Sequence, residues 1–328
     1  MMTSAKALSR RSTLGLIGAA FVLPLLPRTG RAAGSGLEAI SGRAFGTDWR
    51  IAAPAGQDVA RLAPRVNALF DRIDRQLSPW RADSAISRFN AGPDGAGSDD
   101  PAMLEVTATA LEIARKSGGT FDPTVGPLVA RWGFGPIEHG SAPDWRGLSL
   151  GPAGLVKARA GLTLDLCGIA KGWALDQAAR LARGAGFGDL LLDVGGEFIA
   201  LGQHPDGRDW RVAVDAPLNS QAAALRLPAG VAVATSGVGA QSYRLNGRLY
   251  SHIIDPGTRA PASGGVYSVS VVAGDAMTAD GWATALCAAG ATAGPDLARE
   301  HDIAALFLVD GSDGLQRLTT GPLDELVL

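Results

Sequence analysis

The feature that most constrains this chain is the order of its strand-forming runs. From Leu162 onward they follow one another closely: Leu162–Leu166, Asp189–Leu201 interrupted at Gly195-Gly196, Trp210–Asp215, Ala223–Leu227, Val231–Thr235, Arg248–Ile254, Tyr267–Val272, Ala304–Val309 and Leu315–Thr319. Only Gly168–Ala185 and Ala276–Ala289 read as helices among them. Runs of strands with occasional helices predict an α+β fold with largely antiparallel or mixed sheets and flanking helices, not a doubly wound parallel sheet. Upstream, Leu37–Pro54 reads as a strand pair or one bent strand. Val59–Leu77 carries a helical stripe at Leu62, Val66, Leu69, Phe70, Ile73 and Leu77. Asn90–Asp100 reads as a polar loop leading into a helix over Pro101–Lys116, with proline in its first turn.

The N-terminus has a different character. Ser9-Arg10-Arg11-Ser12-Thr13-Leu14 precedes an apolar run to about Leu26, followed by Arg28, Arg31 and the small residues Ala32-Ala33-Gly34. Residues 1–32 are expected to be a twin-arginine signal peptide, with the protein exported, in all expectation to the periplasm. The run is shorter than the ~20 residues that span a bilayer, and Pro24 interrupts it, which argues against an uncleaved membrane anchor. Removing residues 1–32 takes away five basic and no acidic residues, leaving 25 Lys and Arg against 32 Asp and Glu, a net charge of −7. That balance argues against nucleic acid as a partner, since phosphate binding without a basic surface lacks the counterion-release driving force. Cys167 and Cys287 are the only cysteines. They read as two separate buried thiols, although an exported compartment would permit one bridge. Residues 33–328 are expected to form the functional part, as one domain or two intertwined subdomains.

Several short stretches carry chemistry. Asp280 and Thr284 lie four residues apart in an Ala-rich helical run, so both oxygens share a helix face. A carboxylate beside a hydroxyl, with no Cys or His at helical spacing, suits a hard cation such as Mg²⁺ better than zinc. Leu164–Gly172 places a strand end, a turn and a helix start in succession, where free N–H groups and Lys171 would meet a phosphate and the unshielded Gly168 carbonyl would ligate a metal. The same residues read equally as a capped strand-to-helix connection. Gly118–Leu128 packs turn formers around Asp122, either to present backbone N–H groups or simply as a loop stabilised by an Asx-turn. Asp193-Val194-Gly195-Gly196-Glu197 reads as a bulge or as a place where a ligand crosses the sheet. His252, ending an apolar strand beside Asp255, reads first as a structural histidine. No Gly-x-Ser-x-Gly elbow and no zinc-type Cys/His spacing is present.

Taken in order, Phe45-Gly46-Thr47, Leu77-Ser78-Pro79-Trp80, Ser84–Asn90, Gly119–Trp132, Leu164–Gly172, Asp193–Glu197, Ala234–Gly237, Ser251–Pro256 and Ala279–Leu286 resemble the FAD:protein FMN transferase (ApbE) family. The resemblance implies a T-fold-related α+β architecture. It also implies an Mg²⁺-dependent enzyme that splits FAD at its pyrophosphate, joins FMN to a Ser or Thr hydroxyl of an acceptor protein and releases AMP. Carried onto this chain, it implies a metal held by Gly168, Asp280 and Thr284, with Asp165 and Lys171 flanking FAD. It further places the Thr120-Phe121-Asp122 backbone along the cleft, Trp80 as a stacking ring, Phe45 and Ile254 closing around the flavin, and His252 orienting or deprotonating the acceptor hydroxyl. Phe45 stands where methionine is usual, Trp80 where tyrosine is, and Cys167 where glycine often is. If the metal site forms, it would bring Cys167 and Cys287 near each other, and a disulfide or close thiol pair is the alternative to two separate thiols. An exported or membrane-bound acceptor follows from the targeting segment. The rival readings are an FAD pyrophosphatase giving FMN and AMP, and a non-catalytic exported FAD-binding protein.

Overall fold

The computed structural model describes residues 36–214, 223–239, 241–262, 265–312 and 314–328. The targeting segment expected at 1–32 lies outside the described residues, as do Asp215 and Ala240. Eight strands form the main sheet: β1 (Leu37–Ala44), β2 (Thr47–Pro54), β3 (Leu190–Val194), β4 (Glu197–Leu201), β5 (Ala232–Gly237), β6 (Val266–Ala273), β7 (Ala304–Gly311) and β8 (Gly314–Thr320). They lie side by side in chain order, and every neighbouring pair is antiparallel.

Two tight turns set the register at one end of this sheet. Phe45 and Gly46 (φ 53° and 75°) join β1 to β2, and Gly195 and Gly196 (φ 62° and 96°) join β3 to β4. Two successive residues at positive φ match the right-handed twist of a hairpin. The interruption at Gly195-Gly196 is therefore a chain reversal, not a bulge in one strand. The turns touch: Gly195 N donates to the Asp48 carbonyl at 3.0 Å, and an added Cβ on Gly195 would sit 2.8 Å from Thr47 Cγ2.

The sheet is covered on both faces, which is why all five residues of β4 are buried. Ile199 and Leu201 join a core built with helices α1 (Ala63–Leu77), α5 (Ala170–Gly184) and α6 (Ala276–Glu300). Phe198 and Ala200 join a second cluster under the ribbon of Trp210–Ala213 paired with Ala224–Leu227. The expected stripe on α1 is buried at Val66, Leu69, Phe70, Ile73 and Leu77, each worth about 1.5–3 kcal/mol when removed from water. Helix α3 (Pro101–Lys116) has the expected bounds, its N-cap Asp100 accepting from Ala102 N and Met103 N at 2.9 and 3.1 Å. Two short helices, α2 (Ala85–Ala91) and α4 (Gly126–Arg131), were not expected. Ser84 caps α2 by accepting from Ser87 N at 3.1 Å.

Leu162–Leu166 is not a strand. The segment is extended and buried on both sides, but its backbone is matched elsewhere: Leu164 N donates to Asn90 Oδ1 (2.7 Å), Asn90 Nδ2 donates to the Leu164 carbonyl (2.9 Å), and Asp165 N donates to the Pro123 carbonyl (2.7 Å). A side-chain amide thus occupies the place of a neighbouring strand. Helix α6 also runs beyond the expected end at Ala289, but Gly290 (φ 83°) breaks its regularity there.

Candidate active site

The N-terminal halves of α5 and α6 meet near the Gly195-Gly196 end of the sheet. Asp275 caps α6 by accepting from Thr278 N at 2.8 Å, while Asp176 on α5 accepts from Ala276 N (2.8 Å) and Met277 N (2.9 Å). Carboxylates thus satisfy three of the orphan N–H groups that begin a helix. Burial pushes Asp176 up to about 6 in spite of these donors. Helix contact is close at Gly172, where a Cβ would lie 2.2 Å from the Ala276 carbonyl oxygen and 2.8 Å from Asp280 Cβ. Gly172 N in turn donates to Asp280 Oδ2 at 3.0 Å.

One turn further along α6, Thr284 reaches the connection that precedes α5. Its Oγ1 donates to the Gly168 carbonyl at 3.2 Å, and Ser236 Oγ lies 3.2 Å from the same hydroxyl. Since Thr284 has one hydroxyl proton, directed at Gly168, Ser236 is the donor in the second bond. An added Cβ on Gly168 would meet Thr284 Oγ1 and Cγ2 at 3.1 Å and Phe121 Cε2 at 3.4 Å. Gly168, Asp280, Thr284 and Phe121 therefore converge, although they come from distant parts of the chain. Asp280 is 3% exposed. Among the described residues no three His, Cys, Asp or Glu side chains group as a metal site; the oxygens gathered here are one carboxylate, two hydroxyls and a carbonyl.

Lys171, in the first turn of α5, contacts Glu197 Oε1 at the start of β4. Burial works against the lysine's charge, but Asp280 and then Glu197 outweigh it and the pKa is raised. Cys167 is solvent-exposed, and desolvation by the surrounding protein and then Asp165 raise its thiol pKa well above the usual value. Asp165 accepts from Cys167 N at 3.0 Å and is itself raised by burial. Cys287 is buried, and both cysteines are free. No disulfide joins them: Cys287 belongs to the core face of α6 while Cys167 opens to solvent.

His252 follows the ribbon of Ser242–Leu245 paired with Arg248–Ser251. Its Nδ1 lies 3.1 Å from the Gln241 carbonyl. A carbonyl only accepts, so Nδ1 carries the proton and Nε2 is left with a free lone pair. Burial lowers the His252 pKa against the pull of Gln241, and the charge of Lys171 lowers it further.

The remaining expected residues are placed as follows. Phe45 packs edge-on against Phe70 (5.3 Å) in the turn beside Gly195-Gly196. Asp122 spends its Oδ1 on Thr124 N (2.8 Å) and Thr124 Oγ1 (2.6 Å), so its carboxylate shapes the loop as an Asx-turn. Thr120 has a buried hydroxyl without a partner among the described residues. Ile254 is buried, paired with Pro261 in a short ladder. Trp80 is 67% exposed between α1 and α2, and no ring contact or hydrogen bond among the described residues ties it to the cluster. Sequence reasoning assigned no role to Ser236, Asp176 or Glu197; a lone acid opening a wholly apolar strand was the signal available for the last.

Comparison with known proteins settles the family. The ApbE family model matches residues 45–307. The chain belongs to the ApbE family. A FAD:protein FMN transferase of Klebsiella pneumoniae (strain 342) is 33% identical over 305 residues, covering 84% of this chain and 85% of that protein. The solved structure of the flavin transferase ApbE from Vibrio cholerae superposes with a TM-score of 0.80 at 31% identity, covering 88% of this chain and 99% of the other. The apo flavinyl transferase ApbE of Pseudomonas stutzeri gives a TM-score of 0.80 at 33% identity, covering 88% and 96%. As an ApbE family member, the chain is a flavin transferase enzyme, and its curated relatives are named FAD:protein FMN transferases.

Proposed function

We propose that the enzyme moves the FMN half of FAD onto a Ser or Thr hydroxyl of an exported acceptor protein and releases AMP, with Mg²⁺ at the junction of α5 and α6. The observation that carries this reading is the approach of Thr284 Oγ1 to the Gly168 carbonyl, 3.2 Å, with Asp280 one turn earlier on the same helix. The donor set fits a hard divalent cation: it is oxygen only, and Gly168 brings a carbonyl at a position where an added Cβ would stand 3.1 Å from Thr284. Gly168, Asp280 and Thr284 would hold the ion. When bound, it neutralises charge on the pyrophosphate oxygens and stabilises the departing AMP.

The chain's own groups account for the rest. Lys171 adds a fixed positive charge beside the pyrophosphate. The lone pair on His252 Nε2 takes the proton of the acceptor hydroxyl as that oxygen bonds to the FMN phosphorus and the bond to the AMP oxygen breaks. Phe45 and Phe121 supply apolar surface near the site, and Trp80 a solvent-facing ring for the flavin. The segment 1–32 would carry the enzyme out by the twin-arginine route to acceptors at the membrane or beyond it. Changing Arg10 and Arg11 together to lysine should leave unprocessed protein in the cytoplasm on fractionation; normal export of that variant would remove the assignment.

The test is one incubation of enzyme, FAD and Mg²⁺ with a candidate acceptor, following AMP by chromatography and flavin fluorescence on the denatured acceptor. AMP with labelled protein supports transfer. AMP without label supports hydrolysis, and bound FAD with neither product supports a carrier.

A further inference from the structure

Glu197 is buried at the mouth of this site in a way the fold does not require. Its side chain is 3% exposed, Oε1 is taken up by Lys171, and Oε2 is buried with no partner among the described residues. Burial pushes its pKa up against the pull of Lys171. The lysine is placed differently: its side chain is 33% exposed, whereas that of the acid is 3% exposed. A half-satisfied buried carboxylate weakens a fold relative to a well-packed apolar residue, so stability does not explain it. The backbone beneath Glu197 is also held firmly. Gly196 N donates to Asp193 Oδ1 at 2.9 Å, Gly195 N is bonded to the Asp48 carbonyl at 3.0 Å, and Thr47 leaves no room for a side chain on Gly195. From Phe198 on, β4 is buried on both faces.

We infer that Glu197 is a positioning residue for flavin transfer: its carboxylate, mounted on the rigid turn at Gly195-Gly196, fixes the Lys171 ammonium beside Gly168 and Asp280, where it meets the pyrophosphate of FAD. This rests on the role given to Lys171 above. Lysine is a flexible cation with several rotatable bonds, and one anchored at its far end by a buried acid presents its charge without reorganisation when substrate arrives. The ion pair of Lys171 is with Glu197, whereas Asp280 receives Gly172 N on its Oδ2 at 3.0 Å.

The experiment is a double-mutant cycle on the full-length enzyme with FAD and Mg²⁺, reading AMP release and thermal melting for wild type, Lys171→Met, Glu197→Gln and the double variant. Lys171→Met is expected to lower turnover by about 100-fold, the scale of removing one electrostatic donor. Glu197→Gln keeps the shape and is expected to lower turnover by about 10- to 100-fold through misplacement of the ammonium. The double variant should be no slower than Lys171→Met, and should melt higher than it because no unpaired buried acid remains. Wild-type turnover in Glu197→Gln would overturn the inference, and so would losses that multiply in the double variant, since Glu197 would then act on its own. Full activity in Lys171→Met would remove the role of the lysine and the inference with it. Absence of AMP from the wild type would instead count against the proposed reaction.

Discussion

Gly172→Ala tests whether the distance between α5 and α6 sets the site. The new Cβ would stand 2.2 Å from the Ala276 carbonyl oxygen, a separation that side-chain carbons do not tolerate below 3.0 Å, so α6 must retreat by roughly 0.8 Å. Overpacking of this kind costs about 1–3 kcal/mol, equivalent to a fall in melting temperature of roughly 2–12 °C for a domain of this size. The retreat also stretches the Gly172 N to Asp280 Oδ2 bond, now 3.0 Å, and carries Asp280 and Thr284 away from Gly168. A displacement near 1 Å in a catalytic constellation lowers turnover by about 100-fold. Gly184→Ala is the matched control: it lies on the same helix, and a Cβ there meets nothing within 4 Å. It should leave AMP release unchanged and raise stability by up to about 1 kcal/mol through helix propensity. Circular-dichroism melts and AMP release from FAD decide the matter. If Gly172→Ala melts and turns over like Gly184→Ala, the close crossing does not govern the site.

Thr284→Val keeps shape but removes the hydroxyl bonded to the Gly168 carbonyl, so half-maximal AMP release should need at least about tenfold more Mg²⁺; an unchanged Mg²⁺ titration would exclude Thr284 as a ligand. His252→Ala should retain AMP release to water while acceptor labelling falls by about 10²–10⁴-fold, and equal losses of both products would refute a role confined to the acceptor. Because the His252 pKa is lowered from 6.5, wild-type labelling should hold through pH 6.5 and decline only below it as Nε2 gains a proton. A decline centred above pH 7 would contradict this. Burial raises Asp176 from 3.8 to about 6, so between those values the folded state keeps a proton that the unfolded chain releases; its contribution therefore makes stability fall as pH rises through that window. Asp176→Asn should flatten that part of the curve of melting temperature against pH, and an unchanged slope would show that Asp176 does not titrate there.

Local signals carried much of the architecture. Periodicity and a proline at the first turn located α3, and Leu37–Pro54, legible as a strand pair or one bent strand, is the hairpin of β1 and β2. Elements that depend on distant partners were not legible. Leu162–Leu166 has the composition of a strand, but the amide of Asn90 supplies its hydrogen bonds, a substitution that no window of sequence contains. α2 is seven residues long and rests on the burial of Ile86 and Phe89 more than on its own periodicity. In the site, Asp280 and Thr284 could be paired by helical spacing, whereas their meeting with Gly168 was implied only by the family resemblance. The Lys171–Glu197 contact was illegible because a helix and a hairpin strand separate the two residues. Asp122 could be read either way from sequence, as part of a ligand-facing backbone or as an Asx-turn, and its carboxylate makes the Asx-turn contacts with Thr124.

The bond between Gly168 and Thr284 spans 116 positions of the chain, and β3 to β6 must all be laid down in order between them. Closure of so long a loop is a late event in folding. On the proposed reading, a polypeptide that ends before α6 would lack Asp280 and Thr284, and with them the contact to Gly168 on which that reading rests.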